Sequence, residues 1–153
     1  MGTVNYLPGV DVSSSNADII VNTVNCVSIM GKGVALDFKN RFGNVVMAPY
    51  RAACASRIIR PGTTTLFMLP DRRYWAALAT KDHWSNKSTL SWVETGLDQL
   101  ASEAKRVGAK SVALPPPGCS NGGLTWHVIE PIILAKLSFL ERIDIHAAST
   151  IPS

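Results

Sequence analysis

Ala17-Asp18-Ile19-Ile20-Val21-Asn22, followed shortly by Met30-Gly31-Lys32-Gly33-Val34-Ala35-Leu36, is the stretch that decides the fold. The first part is too continuously apolar for a strand wet on one side, because strand side chains alternate between the two faces. It wants cover on both. The glycine cluster then reads as a tight turn entering a helix over Val34 to Phe42, so strand, loop and helix follow in succession. Similar runs recur at Thr63 to Leu69, Tyr74 to Ala79, Ser111 to Leu114 and Ile143 to Ala147. The clearest helix carries Leu90, Val93, Leu97, Leu100, Ala104 and Val107 at steps of three and four, with Ser88 or Thr89 to cap its start and Gly108 to end it. Further helices are expected from Pro49 to Ile58 and from near Thr125 to about Leu140, where Pro131 should kink or reset the first turns. Strands alternating with helices predict an α/β sandwich around a mixed sheet.

The chain has 153 residues, 46% apolar and 17% charged, which excludes a wholly disordered polymer and fits one domain over residues 1–153. No apolar run approaches the ~18 residues of a membrane span. The longest candidate, Ile132 to Leu140, is broken by Lys136 and Ser138. Met1-Gly2-Thr3-Val4-Asn5 lacks the basic start and apolar stretch of a secretory signal, so a cytoplasmic location is expected, without membrane association. Cys26, Cys54 and Cys119 read as free thiols. With His83, His127 and His146 they show no metal-ligand spacing, and neither a metal nor a cofactor is expected. The net charge of +4 is compatible with an anionic ligand or nucleic acid but comes without a dense basic cluster. The tail after His146 is expected to fray, and the chain to act as a monomer.

Two glycine clusters follow two of the best strands: Met30 to Leu36, and Gly118-Cys119-Ser120-Asn121-Gly122-Gly123-Leu124. In an open α/β sheet ligands gather beyond the carboxyl ends of strands, where glycine-rich turns offer backbone N–H groups to phosphate. Two such loops could hold a diphosphate between them, or the glycines could simply make tight turns. Neither loop matches the full phosphate-loop or dinucleotide fingerprint, which disfavours an ordinary NTPase or dehydrogenase. Asn22 and Asn25 flank Thr23-Val24 just past the first strand, where side-chain amides could meet sugar hydroxyls or shape the turn. Lys81, in Thr80-Lys81-Asp82-His83-Trp84, stands after another strand and could point into the same mouth. No serine, cysteine or histidine nucleophile arrangement is evident.

Taken in order, Asp11-Val12, Asn22-Thr23-Val24-Asn25-Cys26, the Met30 to Leu36 loop and Pro117 to Leu124 resemble a macrodomain across nearly the whole chain. Phe38-Lys39-Asn40-Arg41-Phe42, Tyr50-Arg51-Ala52-Ala53-Cys54, Arg60-Pro61-Gly62 and the Lys81 segment further resemble the DarG-type DNA ADP-ribosyl glycohydrolases, antitoxin macrodomains that reverse ADP-ribosylation of DNA bases. The resemblance implies a three-layer α/β/α fold and an ADP-ribose cleft. By motif position Asp11, beside Val12, would accept the adenine amino group, and Gly31, Lys32, Gly33 and Val34 would meet the diphosphate. Gly118, Cys119, Ser120, Asn121, Gly122 and Gly123, closed by Leu124, would wrap the diphosphate and distal ribose. Asn25 would contact the distal ribose, and Asn22 is counted with it among the ADP-ribose-binding residues.

Lys81 matches the family's catalytic lysine. His83, Trp84 and Lys87 would frame a single strand of ADP-ribosylated DNA, Trp84 by stacking on a base. The resemblance also brings in a DNA ADP-ribosyltransferase toxin as a partner. Two departures stand out. Ser120 occupies a position usually glycine, and the acidic partner of the terminal ADP-ribose glycohydrolases falls at Gly122, which argues against a two-residue Lys/Asp mechanism. The expected activity is removal of ADP-ribose from a nucleobase. The alternatives are a non-catalytic ADP-ribose-binding module and a hydrolase of ADP-ribose 1″-phosphate or O-acetyl-ADP-ribose. As a nucleophile Lys81 must be deprotonated, and at the ordinary lysine value of ~10.4 only about one molecule in 2,500 is so at pH 7.

Overall fold

A computed structural model describes residues 2–119 and 122–151. Its sheet has six strands: β1 (Thr3–Tyr6), β2 (Ile19–Val24), β3 (Thr64–Met68), β4 (Tyr74–Ala79), β5 (Ser111–Leu114) and β6 (Arg142–Ile145). The spatial order is β1-β6-β5-β2-β4-β3, parallel throughout except for β3, which runs antiparallel to β4 at one edge. Helices α1 (Gly33–Phe42) and α2 (Asn44–Ala55) cover one face, and α3 (Leu90–Val107) and α4 (Trp126–Lys136) cover the other. This is a three-layer α/β/α fold around a mixed sheet.

The alternation in β2 explains the layers. Ile20 and Val24 pack with Phe38, Met47, Tyr50 and Trp75 under α1 and α2, while Ile19 and Val21 pack with Leu97, Leu100 and Ile133 under α3 and α4. Thr89 caps α3 by accepting from the Trp92 N–H at 3.2 Å, and Gly108 ends it in the left-handed conformation.

Several boundaries differ from expectation. Strand β1 is half-exposed and polar, so no apolar run announces it. Helix α2 starts at Asn44 and contains Pro49, and α4 runs through Pro131. Each proline frees the carbonyl four residues back, at Val45 and His127, and both residues are exposed. The apolar run after α4 continues as a turn in which Leu140 N–H donates to the Leu137 carbonyl. Between Ala148 and Thr150 the tail is hydrogen-bonded to α4. Buried Glu130 accepts from Ser149 Oγ at 3.1 Å and from the Thr150 N–H at 3.2 Å, and Trp126 Nε1 donates to the Ala148 carbonyl at 2.9 Å. Among the described residues no helix is long and apolar enough to cross a membrane.

Candidate functional site

Because β2, β4, β5 and β6 are mutually parallel, the segments leaving their carboxyl ends meet on one side of the sheet. They enclose a cleft of about 890 Å³, whose walls include Asp11, Asn25, Gly31, Lys32, Lys81, Gly118 and His146.

The first wall is the loop from Asn25 to Lys32. Its shape is set by Asn25, whose Oδ1 accepts from the Val27 N–H at 3.1 Å and whose Nδ2 donates to the Ile29 carbonyl at 2.8 Å. The buried Tyr50 hydroxyl lies 2.9 Å from both the carbonyl and the side-chain oxygen of Asn25. Burial, reinforced by the neighbouring Cys54, pushes the Tyr50 phenol up and keeps it a donor. Asn25 therefore lines the cleft with most of its amide committed to the loop. Asn22 is not brought to the cleft. It lies within β2, fully buried, with Nδ2 donating to Met30 Sδ at 3.7 Å, so it supports the loop from behind. Gly31 is the open point of this wall, since a Cβ there would meet only Ile29 Cγ2 at 3.6 Å.

The second wall follows β5. Gly118 has φ 77°, and a Cβ there would stand 2.7 Å from Leu124 Cδ1. A Cβ at Gly122 would lie 2.4 Å from the Gly118 carbonyl oxygen and from Ser88 Oγ, so the loop closes only with glycine at that point. Gly118, Cys119 and Gly122 line the cleft, whereas Gly123 faces the Lys87 side chain and Leu124 packs into the core. Ser120 and Asn121 lie outside the described residues.

The segment after β4 carries Lys81 into the cleft, where Nζ donates to the Trp84 carbonyl at 3.4 Å. Burial, then the Lys32 cation, hold the Lys81 amine below the usual lysine range. Trp84 is 51% exposed on the rim beside Lys87. His83 does not line the cleft. Its Nδ1 accepts from the Ser85 N–H at 3.1 Å, and its ring lies 5.1 Å from that of Trp84, bracing it. Cys26 ties this segment to the first wall, its N–H donating to the Asp82 carbonyl at 3.0 Å and its Sγ to the Lys81 carbonyl at 3.3 Å. Burial pushes the Cys26 thiol up to about 12 and the Cys119 thiol up to about 11, so neither is a nucleophile at neutral pH.

Asp11 and Val12 line the far part of the cleft. Asp11 Oδ1 accepts from the Ser13 N–H at 2.9 Å and caps the 3-10 turn Val12–Ser14, while Oδ2 lies 3.7 Å from Arg41 Nη2. Sequence reasoning missed two neighbours there. Asp37 also lines the cleft, and burial, then the Asp11 charge, raise its carboxyl. Its spacing of four from Arg41 on one helix was the available signal. His146, just past β6, donates from Nδ1 to the Val10 carbonyl at 2.8 Å. Among the described residues no three His, Cys, Asp or Glu gather as a metal site.

Comparisons with known proteins bear on the family and the fold. The family model described as Macro domain matches residues 21–133. A DNA ADP-ribosyl glycohydrolase of Thermus aquaticus is 37% identical over 131 residues, covering 84% of this chain and 36% of that protein. The chain spans 36% to 39% of the length of the bacterial DNA ADP-ribosyl glycohydrolases it matches. Among solved structures, the macrodomain of Thermus aquaticus DarG superposes with a TM-score of 0.87 at 33% identity, covering 97% of this chain and 100% of that one. Thermosipho africanus DarTG in complex with ADP-ribose gives 0.82 at 28% identity, covering 97% of this chain and 43% of that one.

Proposed function

The chain belongs to the macrodomain family, closely related to the DarG-type macrodomains, and on that premise we propose that it hydrolyses the bond between ADP-ribose and a DNA base. The observation that carries this reading is Lys81: a half-buried amine of lowered proton affinity, at the end of β4 and inside the cleft that both glycine loops line. The Gly31 to Val34 turn and the Gly118 to Gly122 loop would hold the diphosphate, with Asp11 receiving the adenine amino group. That fixes the distal ribose against Lys81, converting the encounter into a positioned one.

The leaving base departs from the ribose anomeric carbon with oxocarbenium character, which the nearby diphosphate stabilises. Neutral Lys81 adds to that carbon as the carbon–nitrogen bond to the base breaks, and the base nitrogen takes up the proton that the amine sheds. Water then displaces the amine, yielding free ADP-ribose, unmodified base and the original lysine. Among the described residues no carboxylate lies within 4 Å of the Lys81 amine to share this work. Trp84 and Lys87 on the rim offer a stacking face and a cation to a single DNA strand, which favours DNA over a small-molecule substrate. A DNA ADP-ribosyltransferase is the enzyme class that would supply the modification.

The test is incubation with thymidine- and guanosine-linked ADP-ribosyl oligonucleotides, with products identified by mass. Free ADP-ribose and restored oligonucleotide are expected from one of them. Tight ADP-ribose binding without release would make the chain a binding module. Release only from ADP-ribose 1″-phosphate or O-acetyl-ADP-ribose would make it a small-molecule hydrolase.

A further inference from the structure

A carboxylate that reads a nucleobase is selective only if its lone pairs are aimed, and the aim of Asp11 is set by a neighbour on another element. We propose that Arg41 is the positioning residue for Asp11, a guanidinium braced on the buried Ser13 hydroxyl that fixes the carboxylate so that the cleft takes adenine in preference to a 6-oxopurine. This rests on the reading of Asp11 as the acceptor for the adenine amino group.

The carboxylate and its support are tied together at named atoms. Asp11 Oδ1 accepts from the Ser13 N–H at 2.9 Å, Oδ2 lies 3.7 Å from Arg41 Nη2, and Ser14 Oγ donates to the Asp11 carbonyl at 2.6 Å. Arg41 is anchored in turn, because its Nε donates to Ser13 Oγ at 2.8 Å and Ser13 is only 2% exposed. One buried serine therefore holds both partners, the carboxylate by its N–H and the guanidinium by its hydroxyl. The ion pair is itself part-exposed, so its Coulomb energy is small. What it supplies is direction, since the guanidinium is planar and presents its N–H groups at fixed angles.

The partner that Arg41 takes is informative. It stands four residues after Asp37 on α1, a spacing at which opposite charges commonly pair along one helix. Among the described residues, however, the carboxylate within 4 Å of its guanidinium is that of Asp11, on the 3-10 turn Val12–Ser14 that Asp11 caps. The side chain thus leaves its own helix to join the element that carries the base acceptor.

The consequence is chemical. An ionised carboxylate only accepts hydrogen bonds. The exocyclic amino group of adenine donates to it, whereas a 6-oxopurine sets a carbonyl oxygen at the same position, lone pairs against lone pairs. A carboxylate free to turn could accept instead from the neighbouring ring N–H of the oxo base. Held by Ser13 and Arg41, Asp11 does not follow it.

Calorimetric titration of wild type, Arg41→Met and Ser13→Ala tests this, with ADP-ribose and with its hypoxanthine counterpart, identical but for the carbonyl at position 6. Wild type should prefer ADP-ribose by about tenfold or more, as expected where a hydrogen bond to a charged acceptor is lost. Both variants should bring the preference to within about threefold, chiefly through weaker ADP-ribose binding. Ser13→Ala keeps the Arg41 charge and the Ser13 N–H but removes the brace. If it retains the wild-type preference while Arg41→Met loses it, charge alone acts and the inference is overturned. It is overturned equally if Arg41→Met weakens both compounds by the same factor, or if neither variant moves the preference. A wild type that binds the two compounds alike, or neither, refutes the reading of Asp11 itself and takes the inference with it.

Discussion

Lys81 is where a single side chain separates chemistry from binding. Lys81→Ala should abolish release of ADP-ribose from DNA, a loss of at least about a hundredfold, while leaving ADP-ribose affinity within a few-fold, because in the proposed function the diphosphate would be held by backbone elsewhere. Lys81→Arg keeps the charge but cannot readily supply a neutral amine, so it should be nearly as inactive. Single-turnover kinetics with calorimetry on the same samples checks both, and an active Lys81→Arg protein would reduce the lysine to an electrostatic role. The glycines allow a parallel argument about the loops. Gly31→Val places its side chain in open cleft space and should lower ADP-ribose affinity more than about tenfold with an unchanged melting temperature, since only Ile29 Cγ2 lies near, at 3.6 Å. Gly123→Val is a poorer probe because Gly123 has φ 79° and faces Lys87, so strain there would mimic a binding defect. Normal ADP-ribose binding by a folded Gly31→Val protein would remove the first loop from the phosphate site.

At the scale of elements, the sequence announces what repeats. The apolar runs of β4 and β5 and the spaced stripe of α3 are visible because burial on a fixed period dictates residue type. Strand β1 was invisible because an edge strand paired only with β6 needs little apolar surface; α2 begins ahead of Pro49, which the helix contains, while α4 starts near Thr125 as expected, runs through Pro131 and ends at Lys136. Candidate site residues were legible where a motif carries backbone chemistry, as at Gly31 and Gly118. Asn22 misled because strand and loop asparagines look alike in sequence, and Asp37 and His146 join the cleft only through helix phase and strand order. Buried Glu130 in α4 yields an element-scale prediction. Burial pushes its carboxyl up, but hydrogen bonds from Thr150, Tyr6 and Ser149 outweigh this and hold it below the usual carboxylate range. Its stabilising contribution is thus complete above the unfolded-state value of about 4.3 and is lost as pH falls through the lower folded value. Melting temperature should drop below about pH 4 in wild type. Glu130→Gln should melt lower at pH 7 yet lose less on acidification, and parallel melting curves for the two proteins across that range would refute the assignment.

For the whole molecule the deciding property is how charge is distributed. The net +4 is spread thinly, yet the cleft is lined by Asp11 and Asp37 and by Lys32, Lys81 and Lys87. Few cations line the cleft, and in the proposed function they would meet DNA phosphates while the ADP-ribose moiety would meet the glycine loops. Free ADP-ribose at about a hundred times its Kd should stabilise the fold by about 2.7 kcal/mol and raise the melting temperature by roughly 5–10 °C. Carried over to DNA, the same division predicts that recognition is dominated by the modification and only weakly by the strand. With Lys81→Ala as a non-turnover trap, an ADP-ribosylated oligonucleotide should bind at least about a hundredfold tighter than its unmodified counterpart, because the ADP-ribose moiety would add the contacts of the cleft. Its affinity should fall with salt at a log–log slope of only about −1 to −2, as expected for two or three phosphate contacts on a single strand. Fluorescence anisotropy across a salt series reads both quantities at once. Equal affinity for modified and plain strands, or a steep salt slope, would mean that the surface rather than the cleft governs binding, and the placement of the substrate against Lys81 would fail with it.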